Sequence, residues 1–238
     1  MGVTLAASIS TVVVAGAIGG LLFAAVVAVD RIYFERNQFA DADIAEPSSD
    51  FRSAGDASAI AWETLGRHGA AFVGGGPRVD EISEITHQYA LEPIRVYAGL
   101  ASAPSVEERA EIVVSELERT GAFEREVLVL ATTTGSGWLE PQTMDALEYL
   151  HRGDTAIAAM QYAYTPSWVS FVLDPDAPVE AARVLFDAVE ARWIELPVED
   201  RPELVTYGLS LGAHGSQAVF SDLDDLRART DGALFVGS

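Results

Sequence analysis

The sequence predicts an α/β fold: a mostly parallel sheet with helices on both faces, preceded by one membrane-spanning helix. Three observations carry that reading. Residues 1–29 hold no charged side chain. From residue 94 onward, short apolar segments alternate with amphipathic ones, the pattern of a parallel sheet covered by its crossover helices. One of those segments, 127–131 (VLVLA), is a continuous apolar run, typical of a strand buried on both faces.

The apolar stretch 3–29 (VTLAASISTVVVAGAIGGLLFAAVVAV) stops at Asp30 and Arg31. About 20 apolar residues cross a bilayer as a helix, so this run suffices with some tilt. A cleaved signal peptide has a basic leading region and an apolar core of roughly 7–15 residues. Here nothing basic precedes the run, and the run is far longer. Residues 1–30 are therefore expected to be a retained transmembrane helix and the protein to reside in a membrane. Gly16 and Gly20 stand four apart with Ala15 and Gly19 alongside. Small residues at that spacing admit a second transmembrane helix, though Gly and Ala are common in membrane helices anyway. Arg31 and Arg36 lean toward a cytoplasmic C-terminal side, but Asp30 and Glu35 are mixed with them, and the side of the membrane stays open.

Residues 31–58 are read as a linker, its later part rich in Asp, Ala and Ser with no helical or strand period. Residues 59–238 are read as one α/β domain. Within it, Gly74-Gly75-Gly76-Pro77 lacks the Lys-Ser/Thr of a phosphate loop and the GxGxxG spacing, so it is read as a turn. Pro77 suits the first position of a helix carrying Val79, Ile82 and Ile85. Strands are expected over 94–100, 127–131, 156–164, 204–207 and from 233. Ser105 and Glu108 form a capping box for a helix that stops at Gly121. Further helices are expected over 143–151, 179–193 and, for the most part, 213–229.

The chain carries 36 acidic and 15 basic residues, a net charge of -21. Every basic residue is arginine. Such acidity argues against nucleic acid, which needs a basic stripe. It also argues against adhesion to anionic lipid headgroups, and reads most simply as a solvated surface. There is no cysteine, which excludes disulfides, thiolate metal sites and cysteine nucleophiles. The four histidines, His68, His87, His151 and His214, are far apart and lack zinc-site spacing. No metal and no cofactor is expected.

Gly208-Leu209-Ser210-Leu211-Gly212 is G-x-S-x-G, placed between an expected strand and an expected helix. That is the context of a nucleophile elbow, a sharp turn that lifts a serine above the sheet at the start of the next helix. An ordinary glycine-flanked turn is the plain alternative. Counting strands back from the elbow makes 156–164 the preceding strand and 127–131 the one before it. In α/β-hydrolases the loop after that earlier strand gives one oxyanion amide, and the residue after the serine gives another. The candidates are the N–H groups near Thr134 or Gly135, and that of Leu211. A triad also needs Asp or Glu and then His after the serine. His214 lies one turn along the elbow helix and is poorly placed as a base. Asp222, Asp224, Asp225 and Asp231 read as solvated charges and a cap. His151 and His68 lie upstream, an order foreign to the fold.

The stretches EPIRVYAGLASAPSVEERA, VLVLATTTGSGW, ALEYLHRGDTAIAAMQYAYTPSW, YGLSLGAHGS and RTDGALFVG, in that order, resemble one family. It comprises prokaryotic membrane-associated α/β-hydrolases that join a hydrophobic multi-helix N-terminal region to a C-terminal catalytic domain. The resemblance covers roughly residues 60–238 and implies that Ser210 is the nucleophile. It also implies that the catalytic domain continues past GALFVG, with its acid and histidine in that continuation, so 59–238 is expected to be an incomplete catalytic domain. The expected function is a membrane-anchored serine hydrolase acting on a small-molecule or lipid ester. The alternatives are a non-catalytic membrane-bound binding module and an inactive fragment.

Overall fold

The computed structural model describes residues 2–237 and, in the first helix, the side chains from Gly16 onward except Leu22. The chain divides into two units, residues 1–36 and 37–238.

The first unit is the helix α1 (Gly2–Asn37) up to Arg36, its last residue, Asn37, belonging to the second unit. Its described part is one helix long and apolar enough to cross a membrane, with none of the apolar window buried. Ile18, Leu21, Phe23 and Val26 are exposed. A β-carbon built on Gly16 or Gly20 would meet nothing within 4 Å. The side chains of 3–15, including Ala15, lie outside the described ones. The helix runs past the expected end at residue 30. Arg31 Nε donates to Glu35 Oε1 at 2.8 Å, an i,i+4 pair that supports a helix through charged sequence.

In the second unit the helices are α2 (Gly66–Gly74), α3 (Val79–Thr86), α4 (Val106–Thr120), α5 (Pro141–Leu150), α6 (Ser167–Leu173), α7 (Ala177–Trp193), α8 (Leu211–Gln217) and α9 (Leu223–Arg229). Five parallel strands form the sheet: β1 (Ile94–Ala98), β2 (Val127–Thr132), β3 (Thr155–Met160), β4 (Glu203–Leu209) and β5 (Gly232–Val236). Their spatial order is β1-β3-β2-β4-β5. Three connections step one way across the sheet, and β2 to β3 steps the other way. Right-handed crossovers then put α4, α7 and α8 on one face and α5 on the opposite face. The packing agrees: α4 rests on α7 and α7 on α8, while α5 meets α3. Side chains of β1, β3 and the first five residues of β2 are buried throughout, so the core lies along both faces of the central strands.

The expected solvated linker is corrected. Its first residues belong to α1, and residues 51–54 pack on the sheet. Arg95 N donates to Phe51 O at 3.1 Å and Ser53 N to Arg95 O at 3.0 Å, a single parallel bridge beside β1. Arg52 and Ser53 are fully buried. The Arg52 guanidinium donates to the carbonyls of Val73 (2.9 Å), Pro77 (3.3 Å) and Gly75. Arg95 is buried next to it, forked onto both oxygens of Glu148 at 2.7 Å and bonded to Asp145 at 2.7 Å. This explains the glycine-rich turn. Gly76 sits at φ +77°, and a β-carbon there would collide with the Arg95 guanidinium. Its neighbours' carbonyls satisfy a buried cation, as burial of charge demands.

Other differences are smaller. Pro77 precedes the cap of α3 instead of opening the helix. The expected helix 213–229 is two helices, because Asp222 accepts from the amides of Asp224 and Asp225, both at 2.9 Å, and starts α9 afresh. The strand expected over 156–164 ends at Met160, and α6 follows where no helix was expected.

Candidate active site

β4 ends at Leu209, α8 begins at Leu211, and Ser210 is the single residue between them. Its backbone lies at φ 55°, ψ −119°. A positive φ is uncommon for a residue with a β-carbon, and such positions cost on the order of 1–3 kcal/mol. The surroundings hold it there. Ser210 N donates to Val236 O at 2.7 Å, and Ser210 O accepts from His214 N at 3.2 Å. Ser216 Oγ donates to Tyr207 O at 3.0 Å and is hydrogen-bonded to the Thr132 hydroxyl at 2.7 Å, which ties α8 to both β2 and β4. The two motif glycines are required by close approach. A β-carbon on Gly208 would strike Gly212 O, and one on Gly212 would strike Thr132 O. Ser210 is exposed at the top of this turn.

The sheet register brings the loop after β2 to the same place. Thr132 is paired with Gly208, so loop and elbow leave adjacent strands side by side. The connections from these two strands run in opposite directions, β2 toward β3 and β4 toward β5. In open parallel sheets that reversal opens a crevice at the carboxyl ends of the strands, where ligands bind.

Residues 133–138 are held internally and from below. Thr134 N donates to Trp138 O at 3.0 Å and Gly137 N to Thr134 O at 2.9 Å. The buried Tyr97 hydroxyl donates to Gly137 O at 2.7 Å, and burial pushes its phenol pKa up, so it remains a donor. Gln161 Nε2 donates to Ser136 O at 3.2 Å and to Asn37 Oδ1 at 2.9 Å. The three candidate amides therefore differ. Thr134 N–H is committed within the loop. Gly135 N–H meets only a hydroxyl, Ser167 Oγ at 3.2 Å, an acceptor that a ligand oxygen can replace. Leu211 N–H, at the first position of α8, has no acceptor within its own helix.

Ser210 Oγ is bonded to no histidine or carboxylate among the described residues. His214 is exposed on α8, its ring edge-on to Phe171 with centroids 6.5 Å apart. His151 Nδ1 lies 3.4 Å from Glu126 Oε1, at the opposite end of the strands. His68 is on α2, its pKa lowered by burial and then by Arg67. His87 follows α3 in a left-handed conformation. Asp222 caps α9, and Asp231 accepts from Leu204 N at 2.9 Å. No group of three or more His, Cys, Asp or Glu residues able to hold a metal occurs among the described residues.

The sequence reading missed Tyr97, Gln161, Ser167 and Ser216, which shape the loop and the elbow. Only Gln161 left a trace, as a polar residue within the strand expected over 156–164.

A doubly covered parallel sheet with a serine elbow at its switch point defines an α/β-hydrolase-type fold. The chain belongs to the alpha/beta-hydrolase family: the family model matches residues 94–238, and the model described as the alpha/beta-hydrolase family N-terminus matches residues 1–77. No curated protein and no solved structure matches the chain.

Proposed function

We propose that the protein is a membrane-anchored serine hydrolase of esters, with Ser210 as nucleophile. The strained backbone of Ser210, positioned between two glycines that nothing larger can replace, is the observation that carries this reading. Ser210 Oγ bonds to the ester carbonyl carbon, and the hydroxyl proton passes to a base. The carbonyl oxygen becomes an oxyanion held by Leu211 N–H and Gly135 N–H. Collapse breaks the ester C–O bond and releases the alcohol, which takes up a proton. Water then cleaves the acyl–Oγ bond and releases the acid. The described histidines do not supply the base to Ser210. Without a base the serine is a weak nucleophile, so the rate depends on a base that reaches it. α1 serves as the anchor, and Gly16 and Gly20 offer room for a neighbouring transmembrane helix.

Labelling with a fluorophosphonate, carried out on membranes washed with alkaline carbonate, tests the reading. The expected result is a labelled protein that stays with the membranes and loses its label in Ser210→Ala. A folded protein that takes no label favours the alternative, a non-catalytic binding module. This alternative has one observation behind it, the absence of a histidine or carboxylate on the Ser210 hydroxyl among the described residues.

A further inference from the structure

α6 presents a cluster of exposed apolar side chains on a strongly acidic protein. Trp168, Phe171, Val172 and Leu173 are 70, 55, 72 and 61 % exposed. In a chain of net charge -21, residues 155–173 contain no charged side chain. Scattered exposed apolar residues need no explanation, but a contiguous apolar patch marks a binding surface.

The position of the patch identifies what it binds. Ser167, the first residue of α6, places its Oγ on the Gly135 amide at 3.2 Å. Phe171 lies against His214, one turn along the elbow helix from Ser210. Ser170 is buried and bonded to Thr165 Oγ1 at 2.7 Å, which fixes the inner side of α6. A β-carbon on Gly135 would come within 2.7 Å of Ser170 Oγ and 2.8 Å of Ser167 Cα. The helix is thus clamped between the loop and the elbow, with Val169 and Ser170 turned inward and Trp168, Phe171, Val172 and Leu173 facing outward.

We propose that α6 is the acyl-chain subsite: the apolar chain of the ester lies along Trp168, Phe171 and Val172 while its carbonyl oxygen replaces Ser167 Oγ on the Gly135 amide. This rests on the assignment of Ser210 as nucleophile. The Ser167 hydroxyl marks where an acceptor oxygen sits, and α6 leads away from that point. Seven helical residues extend about 10 Å, which suits a medium-length chain. A neutral apolar chain matches the patch, and a charged substrate does not.

The test compares labelling rates of the full chain, in non-ionic detergent, with ethyl, hexyl and dodecyl fluorophosphonates. In each, the Ser210 Oγ–P bond forms and the P–F bond breaks, with loss of fluoride and the serine proton. The rate is expected to rise from ethyl to hexyl by about two- to fourfold per methylene, as chain carbons leave water. Trp168→Ser with Val172→Ser is expected to flatten that rise. Ile85→Ser, at a remote exposed site on α3, is expected to retain it. Equal rates for all three probes on labelled Ser210 overturn the subsite and leave the nucleophile standing. So does a chain-length slope that survives in the double variant while labelling falls uniformly, the result expected if α6 serves the membrane surface or the fold. Absence of label from every probe overturns both assignments.

Discussion

Ser210 holds its unfavourable backbone only because its neighbours leave it no alternative. Gly212 bears most of that constraint, since a β-carbon there would meet two backbone oxygens, Thr132 O and Thr133 O. Backbone atoms in a central strand cannot swing aside as a flexible side chain can. Gly212→Ala is therefore expected to push α8 off β2, at a cost of about 1–3 kcal/mol in overpacking. The fluorophosphonate label should drop steeply with it. Gly16→Ala, where the new methyl meets nothing within 4 Å, should leave both readouts at their original values. Urea denaturation paired with labelling separates the two. A Gly212→Ala protein that labels at the original rate would show that loop and elbow need not touch. The motif itself was legible in the sequence because five local residues encode the turn. The side chains that hold the neighbouring loop were not legible. Tyr97 and Gly137, or Gln161 and Asn37, come together across long stretches of chain, and no local pattern announces such pairs.

At the scale of elements, legibility followed how local the cause was. α4 was readable from its capping box, and the structure forms both bonds, Ser105 Oγ to Glu108 N at 3.1 Å and Glu108 Oε2 to Ser105 N at 3.2 Å. The segment 51–54 was not readable, because a buried arginine looks like a solvated one until its carbonyl partners are known. α6 was not readable either, since the sequence offers no element between 164 and 179; it is apolar and yet exposed on one side. A pH experiment probes one more element that sequence could not reveal, the strap 58–60 held against α4. Burial alone would raise the pKa of Glu116. The bonds from Arg119, from Ala59 N at 3.0 Å and from Ser58 Oγ at 2.7 Å outweigh it, so the carboxyl sits below its usual range. A carboxylate depressed in the folded state stabilises above its unfolded pKa of about 4.3, and that contribution disappears as pH falls through the folded pKa. Glu116→Gln is expected to cost about 1.5–3 kcal/mol at neutral pH, the worth of hydrogen bonds to a charged group. It should also show a shallower loss of stability on acidification than the parent. Parallel acid titrations of the two proteins would sink the assignment.

At the scale of the molecule, the sheet order decides where chemistry can occur, and the charge decides how firmly the sheet is held. Order β1-β3-β2-β4-β5 was beyond a sequence reading, which yields strands in chain order. The sequence puts the loop after 127–131 beside the elbow only through the α/β-hydrolase pattern; the spatial order gives the reason, since β2, and not β3, flanks the elbow strand. The net charge of -21 was legible from the start, and the structure gives it a consequence. Arg52 and Arg95 are buried, while Asp80, Glu84, Glu111, Glu199, Asp200 and Asp224 lie on the exposed surface. Like charges on a compact body repel one another and favour the expanded state. The surface ion pairs, such as Arg67–Asp41 and Arg192–Glu118, act in the other direction, but exposed pairs are worth only about 0–1 kcal/mol each. Screening weakens both, and repulsion has the longer reach. The Debye length shrinks from about 10 Å at 0.1 M to about 3 Å at 1 M. Raising sodium chloride across that range is therefore expected to raise Tm, by about 2–4 °C for each kcal/mol of repulsion removed in a domain of this size. Thermal melts in non-ionic detergent read it directly. A Tm that falls with salt would mean that the ion pairs, and not the surplus of carboxylates, set the electrostatic balance of the fold.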